Sequence, residues 1–140
     1  MKVYTSLREL EYTLPNGFHD ASLETVMINY ASSRVELDLR LHVGTPDAAT
    51  KEERDAYRKA RLCLNDFVYF VIDPPGAGHE SPEAGALWLR DAGDATDESY
   101  PAYLKPRSDL PDSAFAYWFY VDEWNSHIHV AAKGASLEWL

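Results

Sequence analysis

Two histidines one residue apart are the most suggestive chemical feature of this sequence. His127 and His129 belong to the segment His-Ile-His-Val-Ala-Ala. Residues i and i+2 of a β-strand point to the same side, so the segment places two imidazoles together and turns Ile128 toward the core. Neutral imidazoles at this spacing can share a zinc or iron ion. The third ligand must come from elsewhere, and His42 is the best donor by residue type, ahead of His19, Asp38 and Asp122.

The same two histidines have a simpler interpretation. They fit the solvent side of an amphipathic strand, and two histidines without a regularly spaced third ligand are weak evidence for a metal. We therefore expect no cofactor, and keep a zinc or iron site at His127, His129 and His42 as the alternative.

His19 and Asp20 form a second candidate site, in the stretch Asn-Gly-Phe-His-Asp. Adjacent residues of a strand point to opposite faces, so a direct catalytic pair is not expected unless the two lie in a turn. An aspartate in this position typically accepts hydrogen bonds that fix the start of the next strand. We favour this structural role, with His19 and Asp20 kept as candidate binding residues.

An acidic stretch from residue 91 to residue 98 is a candidate calcium loop. Its carboxylates, at Asp91, Asp94, Asp97 and Glu98, are spaced three, three and one apart. A calcium loop needs oxygen ligands at alternate positions with a glycine at the bend, so the match fails. A solvated acidic loop is the expected structure.

These side chains must be positioned by β-strands, because period-two patterns dominate the chain. Residues 34–43 alternate without a break between apolar and polar side chains, and the short polar link 31–33 joins them to the apolar–polar run 22–30. This pattern predicts an antiparallel hairpin. Residues 51–60 can form one or two helical turns.

Further strands are predicted at 58–64, 67–72, 86–90, 114–121 and 127–132, with a final one at 136–140. The run 67–72 is apolar on both sides and should be covered from both. Residues 73–85 and 91–112 read as surface loops, rich in Gly, Pro and acidic side chains. The sequence predicts a single domain, 1–140, that is mainly β (α+β at most), with an antiparallel sheet forming a sandwich or half-barrel and one or two short helices.

The strand 114–121 is aromatic on both faces. Phe115, Tyr117 and Phe119 alternate with Trp118 and Tyr120. Only one face of a simple two-layer domain should be this apolar. The second face is therefore covered by the chain itself, or serves as a protein or homodimer interface, or lines a pocket, and Trp118 and Tyr120 are the candidate binding residues.

Composition narrows the class of partner. The net charge is −10, which disfavours nucleic acid and anionic lipid and suits a basic protein. The longest apolar run, 67–72, is too short to cross a membrane, which needs about 20 residues. The single cysteine excludes an intramolecular disulfide and favours the cytoplasm.

The order of these segments resembles that of small uncharacterised bacterial β-rich proteins with an early His-Asp motif. The resemblance rests on "NGFHDASLETVMINY", "YRKARLCLNDFVYFVI" and the closing "WNSHIHV". Some such proteins are grouped with the immunity proteins of toxin systems. The resemblance implies a cytoplasmic, antitoxin-like binder and assigns no catalytic residues.

We therefore expect a protein that acts by protein–protein binding or self-association and has no catalytic activity. The alternatives are a metal-binding module or metal-dependent enzyme built on the His-x-His strand, and a β-barrel that binds a small molecule.

Overall fold

The structure is a computed structural model, and it describes residues 2–78, 85–96, 103–104 and 109–140. Its elements are β1 (Val3–Tyr4), α1 (Leu7–Glu11), β2 (Ala21–Asn29), β3 (Arg34–His42), α2 (Lys51–Arg54), β4 (Tyr57–Asn65), β5 (Tyr69–Ile72), β6 (Leu87–Asp94), β7 (Phe115–Val121), β8 (Ser126–Ala132) and β9 (Gly134–Trp139). Within these residues the strands form one antiparallel sheet in the order β1-β9-β4-β3-β2-β6-β7-β8-β5. The predicted mainly-β class is confirmed.

The predicted hairpin is present as β2 and β3. Their register pairs Val26 with Leu37 and Ile28 with Val35, and Ser33 closes the turn with a positive φ of 52°. Along β3 every second side chain is buried, because period-two alternation sends the apolar side chains to one face of the sheet. The helical turn predicted near residue 51 is α2, capped by the Thr50 hydroxyl, which accepts from Glu53 N.

The main core lies on one face of the sheet, against α1 and the segment that follows it. Ser6 caps α1, and the helix buries Leu7 and Leu10. Phe18 is also fully buried, and its ring meets Tyr117 and Phe119 edge-on at centroid distances of 6.2 and 5.5 Å. Inner side chains from both halves of the sheet join this single cluster. The sheet must therefore bend around it, which agrees with a half-barrel and not with a two-sheet sandwich.

Two segments differ from the sequence-based expectation. The apolar run 67–72 is an edge strand, β5, paired only with β8 among the described residues, and Val68 and Ile72 remain 37% and 45% exposed. The prediction that both of its sides are covered is wrong. Strand β6 continues to Asp94, so the first four residues of the predicted loop 91–112 are in the sheet. Much of the remainder of that loop, with Asp97 and Glu98, and residues 79–84 of the loop 73–85 lie outside the described residues.

Neither helix in the described part of the chain has the length and apolar character that crossing a membrane requires.

Candidate functional site

The two histidines of β8 lie side by side on the outer face, which is the side of the sheet opposite the main core. Their rings are stacked, with centroids 5.7 Å apart. Ile128 and Val130 alternate with them and are completely buried in the core. The predicted orientation of this strand is therefore confirmed.

The neighbouring strand β7 adds two aromatic side chains to the same face. Its register places Tyr120 beside His127 and Trp118 beside His129. The His127 ring meets both aromatic rings at steep angles, at centroid distances of 5.7 Å to Trp118 and 5.3 Å to Tyr120. Trp118 Nε1 donates to the Asp94 carbonyl at 3.1 Å, and the Tyr120 hydroxyl donates to Asn125 Oδ1 at 2.6 Å. Both rings are thus held in place without a ligand.

A β-bulge in β6 brings a carboxylate to these rings. Leu89 pairs with Val121, but Asp91 pairs with Tyr120, so Arg90 is an extra residue in this strand. In a regular ladder Asp91 would lie opposite Phe119 and face the core, because alternate residues point to opposite sides. The bulge turns Asp91 to the outer face, beside the Tyr120 ring.

Glycine 93 makes room for the Trp118 indole. The two residues are cross-strand partners, and a Cβ built on Gly93 would lie 2.9 Å from Cζ2 of Trp118. Real Cβ atoms do not approach so closely, so the indole can rest on β6 only because residue 93 is glycine.

The outer-face side chains Asp91, Trp118, Tyr120, His127 and His129 are called the aromatic face below. Two clefts meet at His127. The Asp91 cleft, of about 400 Å³, is lined by His19, Arg90, Asp91, Trp118, Tyr120 and His127. The Asp73 cleft, of about 570 Å³, is lined by Val71, Ile72, Asp73, Pro74, Tyr103, Asn125, Ser126 and His127.

The Asp73 carboxylate contacts two neighbouring side chains at the Asp73 cleft. One carboxylate oxygen lies 2.9 Å from Nε2 of His129, and the other accepts a hydrogen bond from the Tyr103 hydroxyl. Burial and this carboxylate raise the pKa of Tyr103 to about 12, so the phenol keeps its proton at neutral pH. His129 is only 7% exposed.

His127 is held toward its neutral form. Its partial burial lowers the pKa of the imidazole, and the neighbouring His129 lowers this pKa further, against an opposing effect of Asp73. A neutral imidazole beside the rings adds no positive charge to the clefts.

His19 and Asp20 lie at the margin of the Asp91 cleft, in the turn before β2. Asp20 has a positive φ of 62°, and its carboxylate comes within 3.5 Å of His19 Nε2. The two residues lie in a turn, which is the case in which the sequence allows their side chains to meet. Asp20 also accepts from the Trp88 indole at 3.0 Å, and His19 Nδ1 lies 2.6 Å from the Arg90 carbonyl. These contacts fasten the turn to β6.

One end of the outer face is covered by the chain itself. Leu110 packs there with Ala95, Ala116 and Ala131 in a second, smaller apolar cluster. Intrachain coverage, one of the three alternatives for the second face of β7, therefore applies to that end. Trp118 packs against this cluster, Tyr120 and His127 lie beyond it, and all three side chains are partly exposed.

The structure does not bring His42 to the other two histidines. His42 is on β3, with its ring tilted against Tyr57 at a centroid distance of 5.1 Å and its Nε2 2.8 Å from the Arg54 carbonyl. Strands β2, β6 and β7 separate it from β8. Across the described ranges no three His, Cys, Asp or Glu side chains are grouped to hold a metal ion. The donors closest to such a site are His127, His129 and Asp73, and the His129 Nε2 is already engaged by Asp73.

Sequence reasoning missed three members of this region, Asp73, Asp91 and Tyr103. Asp73 was assigned to a loop and Asp91 to a failed calcium motif, and Tyr103 lay in a segment read as irregular. The signal that was available for Asp91 is Gly93, since an isolated glycine inside a strand pattern often marks a bulge or a close approach.

Comparison with known proteins adds no relative. No family model, no curated protein and no solved structure matches this chain.

Proposed function

We propose that this chain is a non-catalytic binding protein that holds a basic protein partner on the aromatic face. The observation that carries the proposal is the outward cluster of Trp118, Tyr120 and His127 on the side of the sheet opposite the core, with Asp91 beside it. Tyrosine and tryptophan are typical anchors of protein interfaces. Because hydrogen bonds already fix both rings, little side-chain entropy is lost when a partner binds.

Charge favours a basic partner. Among the described residues that line the two clefts, Arg90 is the only lysine or arginine, and it lies 3.3 Å from Asp122. Carboxylates of Asp20, Asp73, Asp91, Asp122 and Glu123 lie in or around the same region. With a net charge of −10, this surface attracts a basic protein and repels nucleic acid.

The other half of the outer face offers less to a partner. Its charges pair with one another, as in Arg61 with Asp38 at 2.8 Å and Arg34 with Glu36 at 3.2 Å. Such exposed pairs contribute little stability, about 0–1 kcal/mol each, but they leave little net charge for recognition. We therefore place the interface on the aromatic face.

The imidazoles fit a binding role better than a catalytic one. His129 is almost fully buried and engaged by Asp73, and His127 packs against three rings. This proposal includes the immunity-type function and cytoplasmic location that the sequence resemblance implies.

The test is capture from a bacterial lysate on immobilised wild-type protein and on the double variant Trp118→Ala/Tyr120→Ala. We expect a basic protein that the wild type retains and the double variant loses. Tyr30→Ala is the matched control, because Tyr30 is 77% exposed in the β2–β3 turn and should retain the partner. Circular dichroism melts confirm that each variant is folded.

Two further measurements on the same samples separate the alternatives. A bound zinc or iron ion that is lost on His127→Ala/His129→Ala would replace the binding proposal with a metal-site function. Light scattering that shows a wild-type dimer, dissociated by Trp118→Ala/Tyr120→Ala, would make the face a self-association surface. A partner captured equally by wild type and the double variant would place the interface elsewhere.

A further inference from the structure

We propose that the Asp91 cleft binds the guanidinium group of an arginine side chain, stacked on the rings of Trp118 and Tyr120 and paired with the Asp91 carboxylate. The inference deepens the proposed function, because it names the chemical group of the basic partner that this face holds. It rests on three observations: the available charge, the orientation of the rings and the shape of β6.

The first observation concerns charge. Asp122 pairs with Arg90, Asp20 accepts from an indole N–H, and Asp73 is shared by His129 and Tyr103. In contrast, Asp91 accepts only from the Ala92 backbone N–H, at 2.8 Å, among the described residues. Asp91 therefore has no cationic partner among the described residues, and its charge is available to a ligand in the cleft.

The second observation concerns the rings. A cation within about 6 Å of the centroid of an aromatic ring is attracted by its π-electrons, most strongly over tryptophan. The Trp118 indole has one side against Gly93 and is only partly buried, and Tyr120 is the cross-strand neighbour of Asp91. The carboxylate and the two aromatic side chains therefore line one cleft.

The third observation is the β6 bulge. Bulges are common beside functional sites, where they re-aim a side chain. Here the bulge removes a carboxylate from the core side and sets it beside aromatic rings, which gives no packing advantage to an acid without a cationic partner among the described residues. Gly93, two residues later, allows the indole to pack closely against the same strand.

These features favour arginine over lysine. The guanidinium group is planar, stacks on aromatic rings and can form two parallel hydrogen bonds to one carboxylate, whereas the ammonium group of lysine is a compact and more strongly hydrated charge. His127, on the third side of the cleft, leans to its neutral form and does not repel a cation.

The test is an NMR titration of the full chain with Nα-acetyl-arginine methylamide, followed at the Trp118 indole N–H and the Gly93 amide. Matched lysine and citrulline derivatives serve as probes of charge and shape. We expect saturable chemical-shift changes with the arginine compound and an affinity at least about fivefold lower for the lysine compound. The citrulline compound, which is isosteric with arginine but uncharged, should show no saturable binding.

Variants locate the site. Asp91→Asn should weaken arginine binding by about fivefold or more, because it removes the charge and keeps the shape. Gly93→Ala should also weaken it, since the added Cβ displaces the indole. Asp47→Asn, at an exposed acid near α2, should bind as the wild type does.

The outcomes distinguish this inference from the proposed function. Equal binding of the lysine and arginine compounds, or unchanged binding by Asp91→Asn, overturns the guanidinium site even when a protein partner still needs Trp118 and Tyr120. Arginine binding with the expected variant pattern supports the guanidinium site even if lysate capture finds no partner, and in that case only the proposed function falls.

Discussion

At the scale of single residues, one extra residue decides what the aromatic face can do. Arg90 is the inserted residue of the β6 bulge, and the insertion turns Asp91 from the core side to the outer side. Glycine at position 93 then gives the Trp118 ring its place. Asp91 thus belongs to the candidate site because of its register in the β6–β7 pair, more than because of its residue type.

The protonation of His127 should make the stability of the protein depend on pH. Its folded-state pKa lies below the ordinary value of about 6.5, so as pH falls the unfolded chain takes up this proton before the folded chain does. Stability rises with pH wherever the unfolded state binds more protons. We therefore expect the free energy of unfolding of wild type to fall, relative to His127→Gln, as the pH drops from about 8 through 6.5 to about 5.

Urea denaturation at each pH measures this difference. The charged or ionisable side chains around His127 include His129, Asp73, His19, Asp91 and Arg90, and all of them are unchanged in the variant, so the difference between the two proteins reports on His127. A difference that stays constant with pH, or that grows in favour of wild type at low pH, would contradict the expectation.

At the scale of elements, a part-buried hydrogen bond helps to fasten α1 to the sheet. The Tyr117 hydroxyl, on β7, donates to Glu11 Oε2 at the end of α1. Burial raises the pKa of Tyr117 and the Glu11 carboxylate raises it further, so the phenol remains a donor. We expect Tyr117→Phe to lower the free energy of unfolding by about 1.5–3 kcal/mol, the usual contribution of a hydrogen bond to a charged group.

Chemical denaturation provides the measurement. Tyr120→Phe is the matched control, since its hydroxyl donates to Asn125 in a more exposed position and its loss should cost less than about 0.5 kcal/mol. Equal effects of the two substitutions would show that the Glu11 contact does not hold α1 in place.

The sequence predicts elements where the side-chain period is unbroken. Strand β3 and the His127–Val130 stretch of β8 alternate regularly, so their faces could be assigned without a structure. The bulge in β6 breaks the period, and the prediction therefore ended that strand at Arg90. The side-chain period is also interrupted at Asp20, because this residue lies in a turn. Its positive φ brings its carboxylate close to His19. Long-range placement, such as Asp73 against His129, depends on strand order, which no local pattern contains.

At the scale of the whole molecule, the outer face has two different halves. Around β2, β3 and β4 its charges form mutual pairs, and around β6, β7 and β8 aromatic rings and imidazoles surround a carboxylate without a described cationic partner. The net charge of −10 acts on both halves, and the second half sets partly exposed Trp118 and Tyr120 beside a carboxylate that has no described cationic partner. A basic partner should therefore be attracted by the whole molecule and held at one face.

This division predicts how binding responds to salt. With a hexa-arginine peptide as the probe, we expect Kd to rise by about tenfold or more between about 0.05 M and about 0.5 M NaCl, because screening weakens the attraction between exposed charges. Trp118→Ala/Tyr120→Ala should raise Kd by a similar factor at every salt concentration, since stacking depends little on screening. Asp91→Asn should instead reduce the salt dependence itself. Fluorescence anisotropy of a labelled peptide measures all three, and a double variant that binds like the wild type would show that the peptide is attracted by net charge alone.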